Sequence, residues 1–408
     1  MTLETPQRIE PARLEEPIAA VSDAVADLSA ATAILGKALH PKTAANLAGL
    51  VRVMNTYYSN LIEGHHTRPR DIQRALEGKF DEDEKRRNFQ IEAAAHVRVQ
   101  ADIERQATEG KLPEPASIEF IRWLHREFYK GAPDEMLRIK GRITGKEVEF
   151  SMYPGEWRSK PEHDNAVGRH IPPSSESVAD FMQHFEQRYR FAQLGTAGRI
   201  MAIGAAHHRF NYIHPFPDGN GRVSRLMSHA MALYADIGAH GLWSISRGLA
   251  RGLAPGPGGR TEYKTMMDAA DAPRQGDLDG RGNLSLRALN DFVLWFLRVS
   301  LDQVAFMTEV FDIDSLAKRL RTHVERNEAL KPEAVRLLEE ALIRGEFERG
   351  EIARITGLPE RSARRVLSAT IDAGLLASDT EKGAVSLRFP DDALETLFPR
   401  LYPAAATE

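Results

Sequence analysis

The sequence predicts a mostly α-helical fold with one small β-hairpin and a C-terminal winged-helix unit. Three observations predict it. Apolar residues recur at helical spacing over most of the chain. The Gly- and Pro-rich stretch 139–175 interrupts that pattern with short β-prone pieces such as 147–152. From Glu333 onward the chain reads helix, short turn, helix and hairpin.

The elements follow in order. Residues 19–39 are rich in Ala, Leu and Val, and Pro41 ends them. Residues 43–62 form the next helix, with Gly64 as its stop. A short helix spans 70–78, and the charge run 81–87 reads as a solvated helix start. Helical patterns continue at 89–108 and 116–129, then resume after the hairpin region at 177–193 and 198–212. A loop, 214–220, leads into a helix over 221–237. Loops at 254–260 and 271–283 flank a gap before the long amphipathic helix 286–308. In the C-terminal part, helices are expected at 333–344, 349–356 and 360–373. A turn lies at 357–359, Gly374 acts as a stop, and a two-stranded wing within 375–389 turns at Lys382-Gly383.

Composition narrows the function. The chain has 408 residues, which suggests two or three domains, and 42% hydrophobic with 27% charged residues is an ordinary globular mix. The net charge of −4 argues against a surface that grips nucleic acid all over. There is no cysteine, which removes disulfides, thiolate metal sites and cysteine nucleophiles. The N-terminus lacks a basic start followed by an apolar core, and the apolar run 292–297 is far short of the roughly 20 residues a bilayer span needs. The expectation is a cytoplasmic protein with no membrane partner.

The most informative stretch is His214-Pro215-Phe216-Pro217-Asp218-Gly219-Asn220-Gly221-Arg222, with Arg225 one turn on. Glycines around an Asn just before a helix let backbone N–H groups converge, and a helix N-terminus already favours anions. Arg222 and Arg225 share a face at that end, against the macrodipole, which suits them to an anion. Asp218 offers a hard oxygen ligand for a magnesium shared with phosphates. His214 opens the loop as a candidate general base. Phosphate cradle, magnesium ligand and base together describe phosphoryl or nucleotidyl transfer. The loop is not a Walker A motif, because no Gly-Lys-Ser/Thr follows the glycines.

This stretch strongly resembles the signature of the Fic family, HPFx[D/E]GN[G/K]RxxR, matched at every position from His214 to Arg225. The resemblance implies a Fic-type helical fold and transfer of AMP from ATP, with Mg2+, to a Ser, Thr or Tyr hydroxyl of a target protein, the enzyme itself included. It makes His214 the base, Asp218 the magnesium ligand, and Gly219, Asn220 and Gly221 the anion hole for the α- and β-phosphates. Arg222 and Arg225 then bind the outer phosphates, and Phe216 belongs to the nucleotide-binding set. Upstream, Ser59-Asn60-Leu61-Ile62-Glu63-Gly64 matches the family's inhibitory pattern, [S/T]xxxE[G/N], at the N-terminal position typical of class II members. A Glu63 carboxylate paired with Arg225 would occupy the place of the γ-phosphate and switch the enzyme off. Gly155-Glu156-Trp157-Arg158 and Val167-Gly168-Arg169-His170-Ile171-Pro172-Pro173 resemble the hairpin flap that registers the target. Tyr263 sits near the nucleotide by the same resemblance, whereas Lys264 and Asp271 depart from the family pattern. The implied organisation is an N-terminal region with the inhibitory helix (1–110), a Fic core (111–310) and the winged-helix unit (311–408).

Other signals point elsewhere. The loop 277–285 imitates a calcium loop but has Arg281 and Ala288 where ligands are needed, so Ser285 reads as a helix cap. His207 and His208 are adjacent on a helix without an HExxH context, which favours packing over zinc. Arg361, Arg364 and Arg365 on the second C-terminal helix could meet a DNA backbone, but Glu360 and Asp372 dilute the charge, so protein contact or homodimerisation is the preferred use. The alternatives are another nucleotide or phosphate transfer or AMP removal on the same loop, and a nucleotide-sensing transcriptional regulator.

Overall fold

The computed structural model describes residues 4–143, 146–164, 166–254 and 258–403. Helices α1 (Ala19–Ile34), α2 (Pro41–Glu63), α3 (Pro69–Leu76), α4 (Glu84–Thr108), α5 (Ile118–Phe128) and the single turn α6 (Asp134–Leu137) precede the hairpin β1 (Arg138–Ile143) and β2 (Lys146–Ser151). Then come α7 (Val178–Tyr189), α8 (Thr196–Ile213), α9 (Asn220–Tyr234), α10 (Ile245–Arg251), α11 (Gly259–Ala270), α12 (Leu286–Val310) and α13 (Ile313–Arg326). The chain closes with α14 (Ala334–Arg344), β3 (Glu346–Phe347), α15 (Ile352–Thr356), α16 (Glu360–Asp372), β4 (Leu376–Ser378), β5 (Val385–Leu387) and α17 (Leu394–Leu397). The mostly helical fold with a small hairpin is as the periodicity predicts. Helices α10, α11 and α13 and strand β3 were not expected from it.

Local chemistry sets the helix ends. Asp83 caps α4 by accepting from the Arg86 N–H, so the charge run is a solvated helix start. Ser285 caps α12 in the same way, accepting from the Ala288 N–H. Asp279, the centre of the calcium-like loop, accepts from Ser285, Gln275 and Arg287 and thereby folds the loop onto that helix start. Gly64 ends α2 in the left-handed conformation at φ 84°.

Helices α8 and α9 pack against each other at the centre. α12 and α1 pack against each other and both against α8, while α4 and α2 pack around α9. Buried apolar side chains form one continuous cluster from Ile9 to Tyr402, running through positions 110 and 310 without a break. The C-terminal sheet has the order β3–β5–β4 and packs with α14 against α2. Thr43 donates to the Ala341 and Leu342 carbonyls, Asn46 to Leu387, and Tyr58 to Leu401. Tyr402 stacks on Tyr58 with ring centroids 6.5 Å apart. The helix that carries Glu63 is therefore covered by the C-terminal part of the chain. No helix among the described residues is long and apolar enough to cross a membrane.

The region after α6 holds a two-stranded ladder and a separate bridged turn. The ladder in this region is β1–β2, with Arg138 opposite Ser151. The segments 155–158 and 167–173 are not its strands. Val167 and His170 exchange two hydrogen bonds around a tight Gly168-Arg169 turn, and Pro172 and Pro173 then lack the N–H groups a longer ladder needs. Arg158 is drawn inward and wholly buried.

Candidate active site

The site is built by the α8–α9 connection. His214 follows the last residue of α8 in the left-handed conformation (φ 51°, ψ 58°), with its N–H bonded to the Phe210 carbonyl at 2.9 Å. Asn220 closes the loop: its Oδ1 accepts from the Phe216 N–H at 2.9 Å and its Nδ2 donates to the Phe216 carbonyl at 2.8 Å. The Asn220 side chain is thus spent on loop shape, and only its backbone N–H, in the first turn of α9, is left for a ligand. Gly219 turns at φ 80°, where an added Cβ would strike the Tyr129 ring. Gly221 is needed for a different reason: a Cβ there would overlap the Glu63 carboxylate and crowd Arg225.

Phe216 does not face a ligand. It is fully buried, stacked on His125 at 3.9 Å between centroids and tilted against Trp157 at 4.6 Å, so it anchors the loop from below. His125 in turn accepts from the Gly155 N–H and lies 3.3 Å from the Asp218 carbonyl oxygen.

Electrostatics fix the protonation states. Burial, with the nearby charges of Arg158 and His170, pulls the His214 pKa down to about 4, against the opposing pull of Asp218. The imidazole is therefore neutral at neutral pH, the form that accepts a proton. Burial works to raise the Asp218 pKa, but Arg222, the Gly219 N–H and Tyr129 outweigh it and hold the carboxylate ionised. Its Oδ2 accepts from Tyr129 at 2.9 Å and Arg222 at 3.1 Å. Both side-chain hydrogen bonds fall on one oxygen, and the half-exposed carboxylate keeps Oδ1 for a hard cation, which fits a magnesium completed by phosphates.

The Ser59–Gly64 segment meets the signature helix at Arg225. Arg225, 1% exposed, donates through Nε to Ser59 Oγ at 2.9 Å and through Nη2 to Glu63 Oε1 at 2.5 Å. Burial disfavours the Glu63 charge, yet Arg225 and Arg222 lower its pKa, so the carboxylate stays ionised over the α9 N-terminus. Arg222 is engaged differently from the expectation. Its guanidinium pairs with Glu92 at 2.6 Å and with Asp218 at 3.1 Å and lies over the Phe128 ring. In this state the buried group holds Asp218 through Nη2, while its Nε has no hydrogen-bond partner.

Tyr263 is buried beside the site, bonded to His207 at 2.8 Å and stacked on Trp295. Val167 and Gly168 lie on the exposed turn across from it. His208 and His170 converge on Asp271 at 3.1 and 3.0 Å, so this residue ties the 167–173 segment to α8. Glu92, His125 and Tyr129 were missed by sequence reasoning. For His125 the signal was a polar residue within an otherwise apolar helical stripe, Ile121–His125–Phe128.

The family model described as Fic/DOC matches residues 115–232, which hold α5 through most of α9 and the loop just described. The chain carries a Fic domain. Its sequence is similar to the protein adenylyltransferases Fic of Drosophila erecta, at 37% identity over 101 residues, and of Aedes aegypti, at 35% over the same length. Each match covers 25% of this chain and 19% of the relative, so the chain spans about a fifth of the curated relatives it matches. The fold is similar to that of a Fic family protein from Desulfovibrio desulfuricans, with a TM-score of 0.50 at 15% identity over 91% of this chain and 96% of that one. Glu63, on α2, and Tyr263, on α11, lie outside the matched segment.

Proposed function

We propose that the chain is a Fic protein adenylyltransferase that moves AMP from ATP to a hydroxyl side chain of a protein, itself included, and that Glu63 holds it in an inhibited state. The observation that carries this reading is the anion position at the α9 N-terminus. A carboxylate from another helix lies over Gly221 and against buried Arg225, where a phosphate of the nucleotide would lie. Neutral His214, at the C-terminal end of α8, stands ready as the base. It takes the proton of the target hydroxyl while that oxygen bonds to the α-phosphorus. The bond to the bridging oxygen breaks, and pyrophosphate leaves. Asp218 would hold a magnesium ion, which supplies neutralisation of charge on the phosphates when bound. Main-chain groups of 219–221 serve the phosphates, and Arg225 becomes a phosphate ligand once Glu63 leaves it.

The test is intact-mass analysis of the Glu63→Gly protein after incubation with each nucleoside triphosphate and magnesium. A gain of one AMP from ATP supports the reading. A gain of a phosphate, or of a different nucleotide only, replaces it with another transfer on the same loop.

A further inference from the structure

We infer that Arg158 is a positioning residue for the transfer, fixing the His214 base and the 173–175 segment in one frame; the inference rests on the function proposed above. Arg158 is 1% exposed and lies at the end of the Gly155–Arg158 stretch. It reads three consecutive carbonyls of the catalytic loop. Its backbone N–H donates to Pro215 at 2.9 Å, its Nε to His214 at 2.7 Å, and its Nη2 to Ile213 at 2.9 Å. The other side of the same guanidinium holds Pro173 through its carbonyl at 2.5 Å and Ser175 through its hydroxyl at 3.0 Å. Asp164 completes the fork at 3.3 Å and also accepts from the Ser175 N–H at 2.8 Å.

The physical need is specific. A non-glycine residue in the left-handed region is disfavoured, so His214 stays there only if its surroundings over-determine it. The carbonyls at the end of a helix have no intrahelical partners, and a cation is well placed among them. Arg158 meets both needs at the end of α8. A lysine could supply the charge but has one nitrogen, and it cannot span Pro173, Ile213 and His214 together. None of the Arg158 hydrogen bonds goes to Glu63, Arg225 or the α9 N-terminus. Its loss should therefore misplace the base and spare the phosphate cradle.

The experiment uses Arg158→Met and Arg158→Lys in the full chain with Glu63→Gly, and Asp164→Ala as a milder variant should Arg158→Met not fold. Transfer rate at saturating ATP, KM for ATP, ATP affinity by calorimetry, and amide exchange at His214 and Val223 are measured on each. For Arg158→Met the expected result is a 10- to 100-fold fall in kcat, on the order expected when a reacting group is misplaced. KM and Kd for ATP stay within about twofold, in line with an intact cradle. The His214 amide loses protection while Val223, bonded to Gly219, keeps it. Arg158→Lys recovers only part of the rate, and Asp164→Ala gives a smaller fall of the same kind. Native kcat in a folded Arg158→Met or Asp164→Ala protein overturns the inference. So does a parallel loss of ATP affinity and rate, which is the mark of a merely structural residue. If the Glu63→Gly parent itself transfers nothing, the proposed function fails, and amide exchange then decides on Arg158 alone: unchanged protection at His214 overturns its positioning role, and selective loss sustains it.

Discussion

The Glu63 carboxylate and the Arg225 guanidinium meet at 2.5 Å across 162 positions of sequence, and the same arginine bonds Ser59 one turn earlier on α2. The pair joins the end of α2 to the second turn of α9. Replacing Glu63 by Gly is expected to raise transfer tenfold or more. Couplings between sites are usually about 1–3 kcal/mol, and direct competition for one arginine can reach the upper end. Radiolabelled ATP reports the rate. The variant should also melt lower than the parent without nucleotide, since Arg225 is left buried without its partner, and should gain more in Tm on adding ATP. An inert variant would remove the inhibitory role.

His214→Ala is expected to cut transfer by about 10²–10⁴-fold, the range of a general base, with ATP affinity retained. The pH profile gives a second check. Burial lowers the His214 pKa to about 4, so the neutral form dominates well below the usual histidine value near 6.5. Rates in the Glu63→Gly protein should hold steady from pH 7.5 down past 6 and fall only as pH nears 4. An acidic limb at 6.5 would contradict a buried base.

Asp218→Ala is expected to weaken magnesium-dependent ATP binding and slow transfer, because the only carboxylate in the signature loop is lost. Titration of ATP with and without magnesium checks it. It should also free Tyr129 and one arm of Arg222, which both bond this carboxylate.

Acid should unfold the protein through its buried histidines. Burial holds His96, His125 and His207 at about 3, each well below its unfolded value near 6.5. The native state therefore binds fewer protons than the unfolded chain between those limits. Stability is whole above about pH 6.5 and is lost as pH falls toward 3, at up to about 1.4 kcal/mol per pH unit for each histidine. Denaturant midpoints measured from pH 8 to 4 should fall below 6.5, with net proton uptake on unfolding.

The C-terminal unit looked separable in sequence, since Glu63 and the signature both precede it. The packing says otherwise. Deleting residues after Lys331 would strip Thr43, Asn46 and Tyr58 of their partners and bare the face of α2. The truncated chain is expected to be insoluble or to melt far lower. Tyr402→Ala is the gentler probe. Loss of a buried aromatic costs about 3–5 kcal/mol. Hydrogen exchange should rise along α2, and basal transfer should rise with it as Glu63 is held less firmly.

How legible was all this in the sequence? The signature from His214 to Arg225 and the pattern from Ser59 to Gly64 are each contiguous, so local spacing exposes them. Their meeting is what the resemblance to the Fic pattern implies. The supporting residues could not. His125, on α5, and Tyr129, which caps that helix, act on Asp218 from 93 and 89 positions away, and no local spacing links them to it. Arg222 was read as a phosphate ligand because nothing local announces Glu92 as its partner. Phe216 was counted with the nucleotide set, whereas the ring of His125 waits beneath it. Among the elements, β3 is two residues long, too short to show alternation, and α13 buries only Leu316, Leu320 and Val324 within a charged run.

Helix α2 is held along its whole length: by the C-terminal unit at Thr43 and Asn46, by Glu104 and Gln100 of α4 at Arg52 and Asn55, by Leu401 at Tyr58, and by Arg260 at the Leu61 carbonyl. A 23-residue rod of about 35 Å riveted in this way does not swing. The Glu63 side chain, 31% exposed at the very end of it, can still turn toward solvent. Releasing Arg225 then needs a side-chain rotation that breaks the 2.5 Å pair, and not a displacement of the helix. In the proposed mechanism, exchange of carboxylate for phosphate on Arg225 is therefore set by their relative affinity for that one arginine.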